Sequence, residues 1–163
     1  MGTGTQAAGA PSPALVFDTL MAHQRTAALR AAIDLDLFRA LGDGPSDVYS
    51  LAQRCSASER GIRILCDYLT VIGLLAKQDS RYSHTPTSAL FLDPASPTSV
   101  ASTARFLGNP AMLEPYVHLA DIVRSGRTVL PGDGTVEPEN PVWVEFAHSM
   151  VSMMASMAAP LGS

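Results

Sequence analysis

The chain has 163 residues, of which 47% are hydrophobic and only 16% charged, with a formal net charge of −4. An ordinary soluble domain is about 25% charged, so this chain is short of polar cover and must keep apolar surface for a partner: a second copy, another domain, or both. The acidic balance and the single lysine, Lys77, count against a nucleic acid as the main partner, because phosphate contacts need clustered Lys and Arg.

The length suits one domain, or one domain with a tail. No apolar run approaches the ~20 residues that span a bilayer, so no membrane contact is expected. The N-terminus lacks the basic stretch and apolar run of a secretory leader. Cys55 and Cys66 have no paired spacing, which points to reduced thiols in a cytoplasmic setting and to no metal site.

Residues 1–12 are Gly, Ala, Thr and Pro with little to bury, and read as a disordered tail. Ser12 and Pro13 form a helix start, a capping side chain followed by a preset φ. The helix is predicted over residues 14–32. Val16, Phe17, Leu20, Met21, Ala27, Ala28 and Ala31 cover more of its circumference than a surface helix needs, so it is expected between its own domain and another body. Asp34 and Asp36 read as a helix break. A short helix follows over residues 35–41, stopped by Gly42, Asp43, Gly44 and Pro45.

A third helix is predicted over residues 46–55, capped by Ser46. Ser58 opens a fourth over residues 59–72, with Ile62, Leu65, Cys66, Leu69 and Ile72 on one face. Gly73 ends it. Residues 74–76 are a candidate strand, Gln78, Asp79 and Ser80 a turn, and residues 81–84 the return strand. Thr85, Pro86 and Thr87 start another short helix. Helix, turn, helix and β-hairpin make a winged-helix pattern. The fold class is therefore mainly α: a helical domain containing a winged-helix motif with a small β-hairpin wing.

The second helix of that motif sets Arg60 and Arg63 against Glu59 and Asp67, and the wing turn offers only Lys77 and Arg81 beside Asp79. That is a thin basic patch for a DNA reader. Beyond the wing, helices are predicted over residues 98–107 and from Asn109–Pro110 to about residue 124. A loop rich in Pro and Gly precedes a last helix from about residue 142, with Trp143, Phe146, Ala147, Met150, Met154 and Met157 along one side. The four histidines, His23, His84, His118 and His148, are scattered and read as solvated or structurally bonded.

Three segments resemble one family. IDLDLFRAL, residues 33–41, looks like the Leu-Gly-Leu-Phe segment before the winged helix of plant-type and bacterial small-molecule O-methyltransferases. LEPYVHLADIVRSGR, residues 113–127, is similar to that family's Glu-Ser-Trp-x-x-Leu-x-Asp-x-Val-x-x-Gly stretch, with Tyr116 in place of Trp. FAHSMVSM, residues 146–153, resembles its Phe-Asn-x-x-Met-x-x-His segment and departs from it at Ala147 and Met153. The resemblance spans about residues 14–160.

The resemblance implies a homodimer intertwined through its N-terminal helices. It also implies a small-molecule acceptor, and S-adenosylmethionine bound by a Rossmann-like C-terminal domain that supplies the catalytic base. This sequence has no strand followed by Gly-x-Gly with an acidic residue about 20 residues on, so that domain is expected to be absent and the chain alone inactive. Residues 13–97 would be the dimerisation region and 98–163 a helical region leading to the missing domain. By carry-over, Phe106, Met112, Phe146, Met150 and Met153 would line the acceptor pocket, where thioether and aromatic walls suit a flat molecule. The same spacing also describes ordinary core. A winged-helix DNA-binding regulator and a dimerisation module without chemistry are the alternatives.

Overall fold

The computed structural model describes residues 12–127 and residue 150. Helix α1, Ala14–Asp34, begins after Pro13, and the Ser12 hydroxyl accepts from the Ala14 amide at 3.2 Å. Only its C-terminal end is buried, at Ala32 and Ile33. Leu35 closes it and Asp36 turns left-handed at φ 51°, a conformation that Asp tolerates better than most residues. The two aspartates thus lie at the break that the sequence predicts. Helix α2, Leu37–Ala40, then buries Leu37 and Phe38.

The next segment departs from expectation. Ser46 does not cap a helix: Ser46–Asp47 forms a two-residue strand, β1, and Asp47 caps α3, Val48–Arg54. The Asp47 carboxylate accepts from the Ser50 amide at 2.9 Å, which holds its pKa below the usual value. Ser46 is drawn into extended backbone because it lies opposite Tyr82 on the open side of the hairpin. Helix α4, Glu59–Val71, starts on Ser58, whose hydroxyl accepts from Gly61 N at 3.1 Å. It buries Ile62, Cys66 and Leu69 and shows its other side to solvent.

The wing is β2, Leu75–Gln78, and β3, Arg81–His84, paired antiparallel with Gln78 opposite Arg81. Asp79 and Ser80 both take positive φ, 48° and 66°, which is the two-residue turn whose twist suits a hairpin. The sheet order is β1-β3-β2. Thr85 then caps α5, Pro86–Phe91, in a reciprocal capping box with Ser88.

One apolar core joins the end of α1, α2, α3, α4 and the wing. Leu37, Leu51, Cys66, Leu69 and Tyr82 are fully enclosed in it. Packing at this density explains why α2 is stable at four residues, which is too short for a free helix.

The remaining helices also differ in extent from the sequence reading. Helix α6 is Ala101–Leu107 and does not start at residue 98. Ser96 and Thr98 donate their hydroxyls to the Leu90 carbonyl at 2.6 and 2.9 Å, which fixes that stretch as a loop. The helix predicted through residue 124 is two: α7, Pro110–Val117, and α8, Leu119–Ser125. Pro115 removes one amide from the ladder, and His118 N bonds the Pro115 carbonyl at 3.2 Å in a tighter turn. The predicted last helix lies outside the described residues except for Met150, which is helical and half-buried.

Candidate functional site

The most unusual surface is the N-terminal part of α1. Leu15, Val16, Phe17, Leu20 and Met21 are 48–77% exposed on consecutive turns. Helix α7 exposes Tyr116 and Val117, and α8 exposes Leu119 and Val123. Single exposed apolar residues are ordinary, but a contiguous patch marks a contact. Between α1 and α7 runs a groove of 540 Å³ with Ala27, Ala31, Leu113, Tyr116 and Val117 along its walls. His23 lies there too, its Nδ1 2.7 Å from the Leu20 carbonyl.

The junction of α1 with α6 is ionic. Asp34 lies between two guanidinium groups, with Arg30 Nε at 3.2 Å and Arg105 Nε at 3.5 Å. Arg30 also donates to the Gly108 carbonyl, and Arg105 donates to the Ile33 carbonyl at 3.2 Å. The Arg30–Asp34 spacing is legible in the sequence as an i,i+4 pair. The partnership with Arg105 has no sequence signal. A second cleft of 540 Å³ lies beyond this junction, with Arg39, Arg105, Ser99 and Pro97 on its rim and Phe38 and Leu92 at its floor.

The winged helix spends its lysine internally. Lys77 Nζ lies 2.6 Å from Asp67 Oδ1 and 4.9 Å from the Tyr82 ring centroid. The buried Tyr82 hydroxyl donates to the same oxygen at 2.7 Å. Arg60 and Arg63 are exposed on α4, but Ile64 and Val71 stand beside them 60% and 84% exposed. A helix with that surface presents little charge to a phosphate backbone.

The triad carries a pH signature. Hydrogen bonds from Lys77 and then Tyr82 hold the Asp67 carboxyl below the usual carboxylate range. The Asp67 hydrogen bond raises Lys77, while burial and then the same contact raise Tyr82. A lowered carboxyl stabilises the fold above its unfolded value of about 4 and loses that contribution as acid titrates it. The raised Lys77 and Tyr82 contribute below about pH 10 and lose their part as pH rises. Asp67→Asn should therefore melt earlier than the parent at neutral pH. The gap between the two proteins should close as acid titrates the Asp67 carboxyl, at a pH below the ordinary carboxylate value, as followed by circular dichroism.

His84 is a structural residue. Its Nε2 donates to the Phe38 carbonyl at 2.9 Å, its Nδ1 lies 3.0 Å from Ser88 Oγ, and its ring stacks on Phe38. His118 is exposed at the break between α7 and α8. Cys55 and Cys66 are free and buried. Burial pushes the Cys66 thiol up to about 12 and raises Cys55 in the same way.

Of the residues assigned to an acceptor pocket, Phe106 is buried on α6 at 6% exposure and Met112 is half-buried on α7. Neither is among the described residues lining the two clefts. Phe146 and Met153 lie outside the described residues. Among the described residues, no helix is long and apolar enough to cross a membrane.

A helix-turn-helix with a wing, a neutral second helix and a long apolar helix left uncovered define a winged-helix association domain. Residues 17–94 match the model of the family described as the O-methyltransferase dimerisation domain. The match covers just under half of the chain. It is 29% identical over 123 residues to the tetracenomycin polyketide synthesis 8-O-methyl transferase of Streptomyces glaucescens, covering 75% of this chain and 36% of that one. It is 38% identical over 85 residues to 3-hydroxy-5-methyl-1-naphthoate 3-O-methyltransferase of Streptomyces sahachiroi, covering 52% of this chain and 25% of the relative. A solved structure from Nostoc punctiforme, described as an O-methyltransferase, superimposes with a TM-score of 0.81 at 46% identity, over 88% of this chain and 44% of its own. The match thus spans 36% and 25% of the lengths of these two curated relatives.

A similar solved structure, human N-acetylserotonin methyltransferase, is described in complex with SAM, at 26% identity and a TM-score of 0.68, which raises the question of whether the described residues fit that molecule. Among the described residues, a strand passes into a helix at β1 to α3 and at β3 to α5. These junctions turn on Asp47 and on Thr85–Pro86, with no glycine to let backbone approach a ligand. The described residues do not form a cradle for the methyl donor.

Proposed function

We propose that this chain supplies the dimerisation and acceptor-pocket segment of an S-adenosylmethionine-dependent O-methyltransferase that acts on a small aromatic or polyketide-like acceptor in the cytoplasm. The observation that carries the reading is the uncovered apolar length of α1 within a domain matched as a dimerisation domain. The polyketide and naphthoate relatives support the acceptor class. Their methyl donor would bind to a part of the enzyme that the described residues do not contain.

The division of labour follows from the chemistry. Methyl transfer needs alignment of acceptor oxygen, methyl and sulfur, and removal of one proton. Residues 13–97 hold two copies together, while the region from residue 98 gives shape to the acceptor site and keeps water out. Phe106, Met112, Phe146, Met150 and Met153 form its apolar wall. No catalytic residue is assigned to this segment.

The test has two parts. Sedimentation of the 163-residue chain at micromolar concentration should show a homodimer, and calorimetric titration with S-adenosylmethionine should show no binding. A clean monomer would overturn the dimerisation role. Tight donor binding would overturn the division of labour.

A further inference from the structure

We infer that Asp34 is the positioning residue that sets the α1–α7 groove, and with it the fit of the second copy; this rests on the dimerisation reading above. The second copy is the occupant because the groove is continuous with the uncovered apolar run of α1, in a domain matched as a dimerisation domain.

Helix α7 reaches the groove through α6: α6 packs on α1, and α7 packs on α6. The angle of α7 is therefore fixed at the α1–α6 junction. That junction is held by two arginines, each donating to a backbone carbonyl across it. Arg105, on α6, donates to the Ile33 carbonyl at the end of α1, and Arg30, on α1, donates to the Gly108 carbonyl at the end of α6. Asp34 is the carboxylate that both guanidinium groups share, at 3.2 and 3.5 Å. Without it, two like charges would face each other at the pivot.

Gly108 makes the pivot tight. A Cβ at that position would stand 3.3 Å from Arg30 Cδ and 3.1 Å from the Ala104 carbonyl oxygen. Arg30 and Asp34 also belong to the groove lining, so the pivot and the docking surface are physically continuous. An exposed ion pair usually contributes little to stability. This one joins three charges and two backbone carbonyls across two helices, so its loss is a change of angle more than of total stability.

The experiment measures the dimer dissociation constant of the full chain by sedimentation, for the parent and for Asp34→Asn, Asp34→Glu and Asp67→Asn. Asp67 is the control: it also serves two partners, but in the winged helix, away from the groove. Asp34→Asn should weaken the dimer by about tenfold, Asp34→Glu should recover most of that loss, and Asp67→Asn should dimerise as the parent does. Should Asp34→Asn fail to fold, Arg105→Gln keeps the Arg30–Asp34 pair and should show a smaller loss in the same direction. Unchanged dimerisation in the Asp34 and Arg105 variants would overturn the positioning role. Equal weakening by Asp67→Asn would do so too, because the effect would then be general destabilisation. A parent that is monomeric throughout would instead overturn the dimerisation reading itself.

Discussion

Phe17→Asp combined with Leu20→Asp should turn the proposed dimer into a monomer while leaving the fold intact. Both side chains are more than 60% exposed on the first half of α1, so their removal opens no cavity. Helix propensity falls by only a few tenths of a kcal/mol at each Asp. The interface loses much more. Burying a Phe or Leu side chain contributes about 1.5–3 kcal/mol, and a two-fold interface repeats every contact, so the loss counts twice. The two new carboxylates per copy would also have to be desolvated. The dissociation constant should rise by at least about 100-fold, read by sedimentation. The helical circular dichroism of the monomer should match that of the parent at high dilution. A double variant that remains dimeric at parent strength would place the interface elsewhere on the molecule.

The same contrast between face and core explains what the sequence reveals and what it hides. Helix α4 is legible almost to the residue because Ser58 caps it, Gly73 follows it and its apolar positions keep a single period. The hairpin is legible because Asp79 and Ser80 are the turn residues between two short strands. Its second strand, Arg81–His84, falls where the sequence places it, while the first is shifted to Leu75–Gln78.

The third helix and the helices beyond residue 98 are less legible, for reasons of competition. At Ser46 and Asp47 either side chain suits a cap, and the strand opposite decides in favour of Asp47. Ser96 and Thr98 look like a helix start, but their hydroxyls are taken by the Leu90 carbonyl. Pro115 is tolerated inside α7, so a single residue gives no clear warning that the helix will divide at His118. Of the candidate site, the apolar breadth of α1 is visible in its residue spacing. The Asp34 junction is not, since Arg105 meets it only after the chain has passed through the whole winged helix.

Phe38→Ala should be the most damaging single change within the folded unit. The side chain is 2% exposed at the centre of the core, and its ring stacks on His84 with centroids 6.0 Å apart. Truncation loses the transfer energy of the ring and leaves a void, a cost of about 3–5 kcal/mol. A small domain has roughly 5–15 kcal/mol in all, so a fall in melting temperature of ten degrees or more, on the order of 4–8 °C per kcal/mol, is expected. The Phe38 carbonyl still accepts from His84 in the variant, so the loss reports packing and not the hydrogen bond.

Cys66 supplies an independent readout. Its thiol is fully buried and pushed up to about 12, so a thiol reagent has almost no thiolate to attack in the native state. Opening the core returns it to an ordinary value of about 8.5. Labelling of Cys66 should therefore accelerate in Phe38→Ala and stay at the parent rate in the α1 double variant once both are monomeric. Labelling of Phe38→Ala at the parent rate would mean that Phe38 does not support the packing around Cys66.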